Sequence, residues 1–325
     1  MVTNNNENFM SWKWEATNNT ASITAADSQT YLFGNYNDDI RISPPAPSQK
    51  LSEVWTHQYR NPLLLKGATQ FPTWKHKFHP VNCIPEFMFL GAATDASPDT
   101  ITVKHTGLKH SFSARWEYRG GTNPRRAQSV GNYAVGYMGH CGTDMPYLCE
   151  LTNTWGKFET ESDRVALTTD PIFPESIESS YSGLSEVKWD YGEAGEEEWQ
   201  EVYEIEFTQL QKYTETKPSK TYQYIYPHSY GSVDITFFAL LNQNQQWEDY
   251  VARETKDVAI KIPKGNDATK YKQIVFSDVQ IESIIDTHIA YGEEVLAKIN
   301  AKASKFEVNF THEGDNFSTF FPAYA

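Results

Sequence analysis

The stretch Tyr271–Phe310, YKQIVFSDVQIESIIDTHIAYGEEVLAKINAKASKFEVNF, decides the fold class of this chain. Apolar residues occupy every second position in two successive runs, Ile274 with Phe276 and then Val279 with Ile281. This alternation is the pattern of strands that bury one face. Its phase changes at Ser277–Asp278, which predicts a β-bulge or a bend.

The end of this stretch repeats the pattern. Phe306, Val308 and Phe310 alternate with polar residues and predict a closing strand. Between the strands, Tyr291–Lys302 is rich in Glu, Lys and Ala, which suits either a short helix or a charged hairpin arm. Because this segment holds no group with obvious catalytic potential, the stretch predicts sheet structure and no active site.

Short strand candidates separated by Pro, Gly or Asn occupy most of the remaining chain. The clearest is 109–119, in which polar and apolar residues alternate between two faces. One helix is predicted in 81–90, where Ile84, Phe87 and Met88 have helical spacing and Gly91 is a terminator. The pattern predicts a mainly β fold, a sandwich or barrel with one or two short helices.

The 325 residues suffice for two domains. We predict an extended arm in 1–50, a first β-domain in 51–171 and a second in 172–325, which includes an acidic insertion at 172–206. Two stretches, MPYLCELTNTWGKFE and VDITFFALLNQNQQWED, share a run from an apolar strand through Leu and Asn to Trp. This likeness predicts two tandem copies of one fold.

The predicted arm is either a solvated tail or a segment that docks on a neighbouring subunit. Its polar composition and the Pro-rich stretch near residue 45 favour an extended backbone. Aromatic side chains are out of place in a tail and suit anchors between subunits. The predicted anchors are Trp12, Trp14, Tyr31 and Phe33.

Composition and charge exclude several classes of function. The formal net charge is −14, which disfavours binding to nucleic acid or to an anionic membrane. The start of the chain lacks the features of a secretory signal, and no apolar run is long enough to span a membrane. The three cysteines form no CxxC pair, so synthesis in a reducing cytoplasm is the simplest expectation.

A search for chemistry finds no motif for catalysis, for a metal or for a cofactor. His76, His79 and Cys83 lack the spacing of a zinc site, and so do the residues around Cys141 and Cys149. Paired carboxylates in 186–206 follow from the acidic composition and do not by themselves indicate a glycosidase. We therefore predict a protein that is not an enzyme.

The order of elements resembles the major tail tube proteins of long-tailed, siphovirus-like bacterial or archaeal viruses. The likeness rests on a pattern of strands over about 60–310 and on no signature motif. It is carried by the segments KGATQFPTWKHKFHPVNCIPEFMFLGAAT, LKHSFSARWEYRGG, VDITFFALLNQ, DVAIKIPKG, KQIVFSDVQIESI and KFEVNF. The acidic segment 172–206 and the aromatic arm depart from the family pattern.

The resemblance implies a structural protein of the virion tail that is made in the host cytoplasm. Rings of three or six subunits would stack, contact other tail proteins and leave an acidic channel through which genomic DNA passes without specific binding. A two-domain chain would need three copies for such a ring. The predicted channel-lining residues are the polar faces of two strands: Ser111, Ser113 and Glu117, and Asp278, Gln280 and Glu282.

Two other functions stay open from the sequence alone. A carbohydrate-binding β-sandwich would use exposed aromatic side chains, for which Trp189 and Trp199 are the candidates. A capsid or decoration protein would share the assembly principle and differ in its partner.

Overall fold

The structure, a computed structural model, describes residues 8–35, 48–54, 63–97, 100–106, 109–118, 125–159, 166–173, 180–199, 202–218, 222–240, 244–265, 267–286 and 296–311. In these residues the chain is mainly β, with antiparallel strands and two helices, which confirms the predicted fold class. No helix in the described ranges is long and apolar enough to cross a membrane.

The strands of the first half are β1 (Asn8–Trp14), β2 (Tyr31–Leu32), β3 (Ser48–Val54), β4 (Leu63–Gln70), β5 (Trp74–Phe78), β6 (Gly91–Ser97), β7 (Thr100–His105), β8 (Phe112–Tyr118), β9 (Arg125–Gly142), β10 (Met145–Thr154) and β11 (Lys157–Glu159). Those of the second half are β12 (Glu186–Trp189), β13 (Glu197–Glu198), β14 (Val202–Thr216), β15 (Tyr224–Leu240), β16 (Lys256–Lys264), β17 (Asp267–Asp286), β18 (Leu296–Ala303) and β19 (Lys305–Thr311). The helices are α1 (Ile84–Leu90) and α2 (Asn244–Ala252).

Hydrogen bonding divides most of these strands among three regions of sheet. Sheet 1 has the order β5-β10-β9-β14-β15-β18-β17. Sheet 2 has the order β13-β12-β16-β17-β19-β7-β6. Sheet 3 has the order β2-β1-β8-β9-β11, and β3 with β4 forms a separate hairpin.

The predicted bulge at Ser277–Asp278 is confirmed. Asp278 has φ 55, and the register with β16 shifts between the pairs Lys256↔Val279 and Val258↔Phe276. The extra residue turns the strand, so the first part of β17 belongs to sheet 2 and the part after Asp278 pairs with β18 in sheet 1. The change of phase in the sequence therefore marks the point where one strand passes between two sheets.

The helix alternative for Tyr291–Lys302 is wrong in the described part of that segment. Residues 296–303 form β18, the antiparallel partner of β17. Ala297, Ile299 and Ala301 are buried, whereas the lysines between them point away from the core. Alanine at alternate positions fits a tightly packed sheet, and its helix propensity is overridden by this burial.

Sheets 1 and 2 pack face to face around one hydrophobic core. Phe207 of β14 meets Phe276 of β17 at 5.0 Å and Phe306 of β19 at 5.4 Å between ring centroids. Helix α1 lies within this core, and all seven of its residues are buried. The predicted terminator is confirmed, because Gly91 adopts φ 96 and its N–H donates to the carbonyl oxygen of Phe87.

Strands from either side of the predicted domain boundary at 171/172 share sheets. In sheet 1, β9 pairs with β14, and in sheet 2, β7 pairs with β19. One cluster of buried residues includes members of both halves. Position 171 thus separates neither two sheets nor two cores in the described residues, and the tandem copies stay a prediction.

The N-terminal segment is not an arm where the structure describes it. Strand β1 pairs with β8 over seven residues, and Trp12 and Phe33 are buried in the chain's own core. Trp14 and Tyr31 are partly buried and pack against the same core. The prediction of subunit anchors is therefore wrong for Trp12 and Phe33, which complete their own domain, and it stays a prediction for Trp14 and Tyr31. Residues 1–7 and 36–47 lie outside the described residues.

The acidic segment is likewise integrated into the fold. Its strand β12 pairs with β16 and places Val187 and Trp189 in the core, with Glu186 and Lys188 on the other face. The predicted insertion supplies the edge of sheet 2.

Candidate functional site

The face of sheet 1 that points away from sheet 2 is the widest polar sheet face of the described structure, and we refer to it as the open face. Its side chains line up in rows across the strands because the register is nearly continuous. One row is Lys77, Glu150, Met138, Thr208, Asp234, Lys302 and Gln280. The next is Leu148, His140, Glu206, Thr236, Asn300 and Ser283.

Strict alternation along the strands produces this face. In β14, Ile205 and Phe207 enter the core, whereas Glu204, Glu206 and Thr208 lie on the open face. The side chains of the two rows are exposed or partly exposed, apart from Glu150, which its lysine partners cover. The described residues thus leave this face accessible from one end of the row to the other.

Acidic groups occupy the centre of the open face, and lysines lie towards its margins. Glu204 and Glu206 of β14 and Asp234 of β15 are central, and His140 contacts Glu204 at 2.6 Å. Near one margin, Lys75 and Lys77 contact Glu150 at 2.7 and 3.5 Å.

The other margin repeats this pairing of charges. Lys302 contacts Glu282 at 2.8 Å, and this hydrogen bond raises the pKa of Lys302. Lys302 also lies 4.0 Å from Asp234. Lys75, Lys77 and Lys302 are therefore held in ion pairs with carboxylates, whereas Nζ of Lys298 in β18 lies 6.0 Å from the centroid of the Phe238 ring.

Helix α2 lies beside the margin formed by the second part of β17. Asp249 of α2 accepts a hydrogen bond from the indole N–H of Trp189 at 2.7 Å, which fixes the helix. Trp247 and Val251, one helical turn apart, are 51% and 66% exposed, and Ile285 of β17 is 49% exposed. No described strand pairs with the outer side of β17 at 280–286. Trp247 and Val251 form an exposed apolar surface, the α2 margin, next to a strand edge, whereas Ile285 lies opposite Lys298 in a further row of the open face.

The predicted channel residues of β8 and its flank are wrong. Ser111, Ser113 and Glu117 are 4%, 0% and 2% exposed. They lie on a polar face of sheet 3 that the segments 15–30 and 166–170 cover: Ser22 N–H donates to Ser113 Oγ, and Leu167 N–H donates to Glu117 Oε1. These residues therefore contact the chain itself and line no channel.

Two acidic groups organise this covered face. Glu15 accepts hydrogen bonds from Ser111 Oγ, Ser113 Oγ and the N–H groups of Asn19 and Gly131. Burial raises the pKa of Glu15, against the opposing effect of these donors. The second group, Glu117, pairs with Arg115 at 2.5 Å in a fully buried ion pair.

The later set of predicted channel residues has a different outcome. Gln280 and Glu282 are exposed at the margin of the open face, and Asp278 is exposed at the bulge where β17 changes sheet. Whether they line a channel stays a prediction. The central residues Glu206 and Asp234 were missed, although alternation in EVYEIEFTQL and SVDITFFAL marks a polar face. Sequence alone does not tell that these strands lie at the middle of a seven-stranded sheet.

The candidate sugar-stacking residues are not available to a ligand. Trp189 and Trp199 are 1% and 2% exposed and pack edge to face at 5.4 Å. In the described ranges, no group of three His, Cys, Asp or Glu side chains is placed to hold a metal ion. The chain matches no protein-family model and no curated protein sequence.

Proposed function

We propose that this chain is a tail tube subunit, a structural protein that assembles with copies of itself into stacked rings around a channel for DNA. One observation carries the proposal: sheet 1 buries one face in the core and leaves a continuous polar face accessible. A wide antiparallel sheet of this kind suits the wall of a channel, in which neighbouring copies cover the sheet edges. The proposed activity includes no catalytic step.

The width of sheet 1 favours a ring of three copies. Seven strands at about 4.8 Å give roughly 34 Å of wall per copy, or about 44 Å if the strands tilt by about 40°. Three copies then enclose a backbone diameter of about 32–42 Å, from which side chains on both walls remove about 10 Å. The remaining bore passes a duplex of about 20 Å, whereas two copies would obstruct it and six would leave it loose.

The charges of the open face suit the passage of DNA. The phosphate backbone of DNA binds to lysines and arginines, which displace the small cations that surround it. Here Lys75 and Lys77 are paired with Glu150, Lys302 is paired with Glu282, and the centre carries Glu204, Glu206 and Asp234. Such a wall attracts no phosphate strongly, so a duplex slides along it without being held.

The α2 margin supports the proposed contact between copies. Trp247 and Val251 expose apolar surface, and a neighbouring copy that covers them would bury a Trp anchor. The surface adjoins the edge of sheet 1, so one contact covers both the edge and the apolar side chains.

Electron microscopy and sedimentation of the purified full-length chain test this proposal. We expect rings of three copies, and tubes of stacked rings at high concentration. The double variant Trp247→Glu/Val251→Glu is expected to stay monomeric while its circular dichroism is unchanged. Ile172→Glu, at another exposed apolar residue, is the matched control and is expected to assemble. A wild-type chain that stays a monomer at all concentrations contradicts the proposal.

A second experiment tests which face lines the channel. In a ring of three copies, the variant Glu206→Lys/Asp234→Lys replaces six carboxylates of the open face by six lysines. Its assemblies are expected to retain duplex DNA at low salt and to release it as salt increases. Glu307→Lys, on the outer face of sheet 2, is the control and is expected to retain none beyond the wild-type level. Equal retention by both variants would show that the open face does not line the channel.

A further inference from the structure

Three side chains of complementary chemistry meet in the sealed core between α1 and β17. Asn82 precedes α1, Glu86 lies in its first turn and Lys272 belongs to β17; they are 1%, 0% and 0% exposed. Lys272 Nζ donates to Glu86 Oε1 at 2.5 Å and to the main-chain oxygen of Asn82 at 3.1 Å. An amine, a carboxyl group and a primary amide thus share one cavity without water contact.

Aromatic side chains enclose this cluster. Nζ of Lys272 lies 4.5 Å from the ring centroid of Tyr181 and 5.0 Å from that of Tyr147. The hydroxyl of Tyr137 donates to Glu86 Oε1 at 2.6 Å. In such a medium the separated charges of an ion pair lose their solvation. Transfer of one proton from Lys272 to Glu86 leaves a neutral amine, which is a nucleophile, beside a carboxylic acid.

The side-chain amide of Asn82 belongs to the residue whose main-chain oxygen Lys272 Nζ contacts. Its Oδ1 accepts a hydrogen bond from the N–H of Ile84 at 3.0 Å, which polarises the carbonyl and would stabilise negative charge on that oxygen. Its Nδ2 is buried and has no hydrogen-bond partner in the described structure. A buried amide nitrogen without a partner is costly, and its loss as ammonia relieves that cost.

We infer that Lys272 and Asn82 form an intramolecular isopeptide bond. Nζ of the neutral lysine attacks Cγ of Asn82, and the N–H of Ile84 stabilises the tetrahedral oxyanion. Glu86, protonated by the lysine, gives a proton to Nδ2, which leaves as ammonia, and takes the second proton of Nζ in exchange. One C–N bond forms and one breaks, so no oxidant or other reactant is required.

The enclosed geometry provides the rate. Lys272 Nζ contacts the main-chain oxygen of Asn82 and the carboxylate of Glu86, so the fold holds the amine in the neighbourhood of the Asn82 side chain and of its proton acceptor. The bond would join positions 190 residues apart and tie the start of α1 to sheet 2. This inference is independent of the proposed function, because it needs only the folded chain.

Mass spectrometry of the intact full-length chain tests the inference. We expect a mass lower than that of the sequence by one ammonia, and a protease digest that contains a branched peptide joining Asn82 to Lys272. A folded wild-type chain with the full sequence mass, after prolonged incubation, overturns the inference. Loss of ammonia that maps to any other residue overturns it as well.

Variants identify the role of each group. Glu86→Gln keeps the shape of the side chain but cannot exchange protons, and it is expected to keep the full sequence mass. Lys272→Arg is expected to do the same. Lys261→Arg, at a partly exposed lysine of sheet 2, is the matched control and is expected to show the ammonia loss. The mass of the wild-type chain tests the inference by itself. The inference can therefore be overturned even if one of the variants fails to fold.

Discussion

The open face of sheet 1 and the covered polar face of sheet 3 arise from the same sequence pattern and meet different surroundings. Glu204, Glu206 and Thr208 alternate with core residues, as do Ser113 and Arg115. The first three are accessible, whereas the latter two are buried under segments of the same chain. Alternation therefore identifies the residues that share a face but does not tell whether water or protein covers that face.

The side chains themselves differ between the two faces. On the covered face, short serine hydroxyls donate hydrogen bonds to Glu15. Two residues of one strand, Arg115 and Glu117, form an ion pair there. The open face uses longer Lys and Glu side chains whose ends reach solvent, such as Lys302 and Glu282. A charged group that is buried without a partner is costly, whereas a charged group in water is solvated and carries no such cost. Removing one partner of an ion pair is therefore expected to destabilise the covered face more than the open face.

The largest effect is expected at the buried ion pair. Arg115→Ala leaves Glu117 buried without its closest charged partner, which costs about 3–5 kcal/mol of the free energy of unfolding. Denaturant titration of the two proteins measures the difference. The double variant Arg115→Met/Glu117→Leu removes both charges and is expected to lose less than the single variant. A loss below about 1 kcal/mol for Arg115→Ala would mean that this face is hydrated.

A smaller effect distinguishes the two sides of sheet 1 itself. A Cβ at Gly139 would lie 2.3 Å from the Phe207 ring and 2.7 Å from the Tyr147 hydroxyl, both within the core. Gly139→Ala is expected to cost about 1–3 kcal/mol through overpacking. Gly136→Ala, on the open side of the same strand, is the control, and its Cβ would lie 2.9 Å from both Leu210 Cδ2 and Thr152 Cβ. Leu210 is 66% exposed and Thr152 is partly exposed, so this side of the sheet can adjust towards solvent, and thermal unfolding should show the smaller loss for Gly136→Ala.

Sequence reasoning obtained the fold class, the bulge at Ser277–Asp278 and the helix that ends at Gly91, because each depends on local periodicity or on backbone conformation. It failed for Ser111, Ser113 and Glu117 because their cover comes from segments about 100 residues earlier and 50 residues later in the chain. It failed for Trp12 and Phe33 because an aromatic side chain fits an intermolecular contact and an intramolecular core equally well. Long-range pairing decides these outcomes, and one strand's pattern does not encode it.

The covered face also predicts a dependence of stability on pH. Burial raises the pKa of Glu15 above its ordinary value of 4.5, so the folded chain holds this proton more tightly than the unfolded chain. The resulting stabilisation is complete below the unfolded pKa and is lost as the pH rises through the folded pKa. Glu15→Gln removes this dependence.

Free energies of unfolding measured between pH 4 and pH 7 check the direction of the pH dependence that Glu15 causes. The difference between variant and wild type should shift in favour of Glu15→Gln as the pH increases. Glu206→Gln, at an exposed residue of the open face, is the matched control. A difference at Glu15 that moves in the opposite direction would mean that its hydrogen-bond donors outweigh its burial.

The smallest effect is expected at the margin of the open face. Lys302→Ala breaks the contact with Glu282 but leaves that carboxylate half exposed to water, so the free energy of unfolding should change less than for any of the substitutions above. Equilibrium denaturation at low and high salt checks this, because a screened surface pair contributes even less at high salt. A loss as large as that of Arg115→Ala would show that other parts of the chain cover the open face. The proposed channel wall would then be a second buried polar layer, and sheet 1 would have no face to offer to DNA.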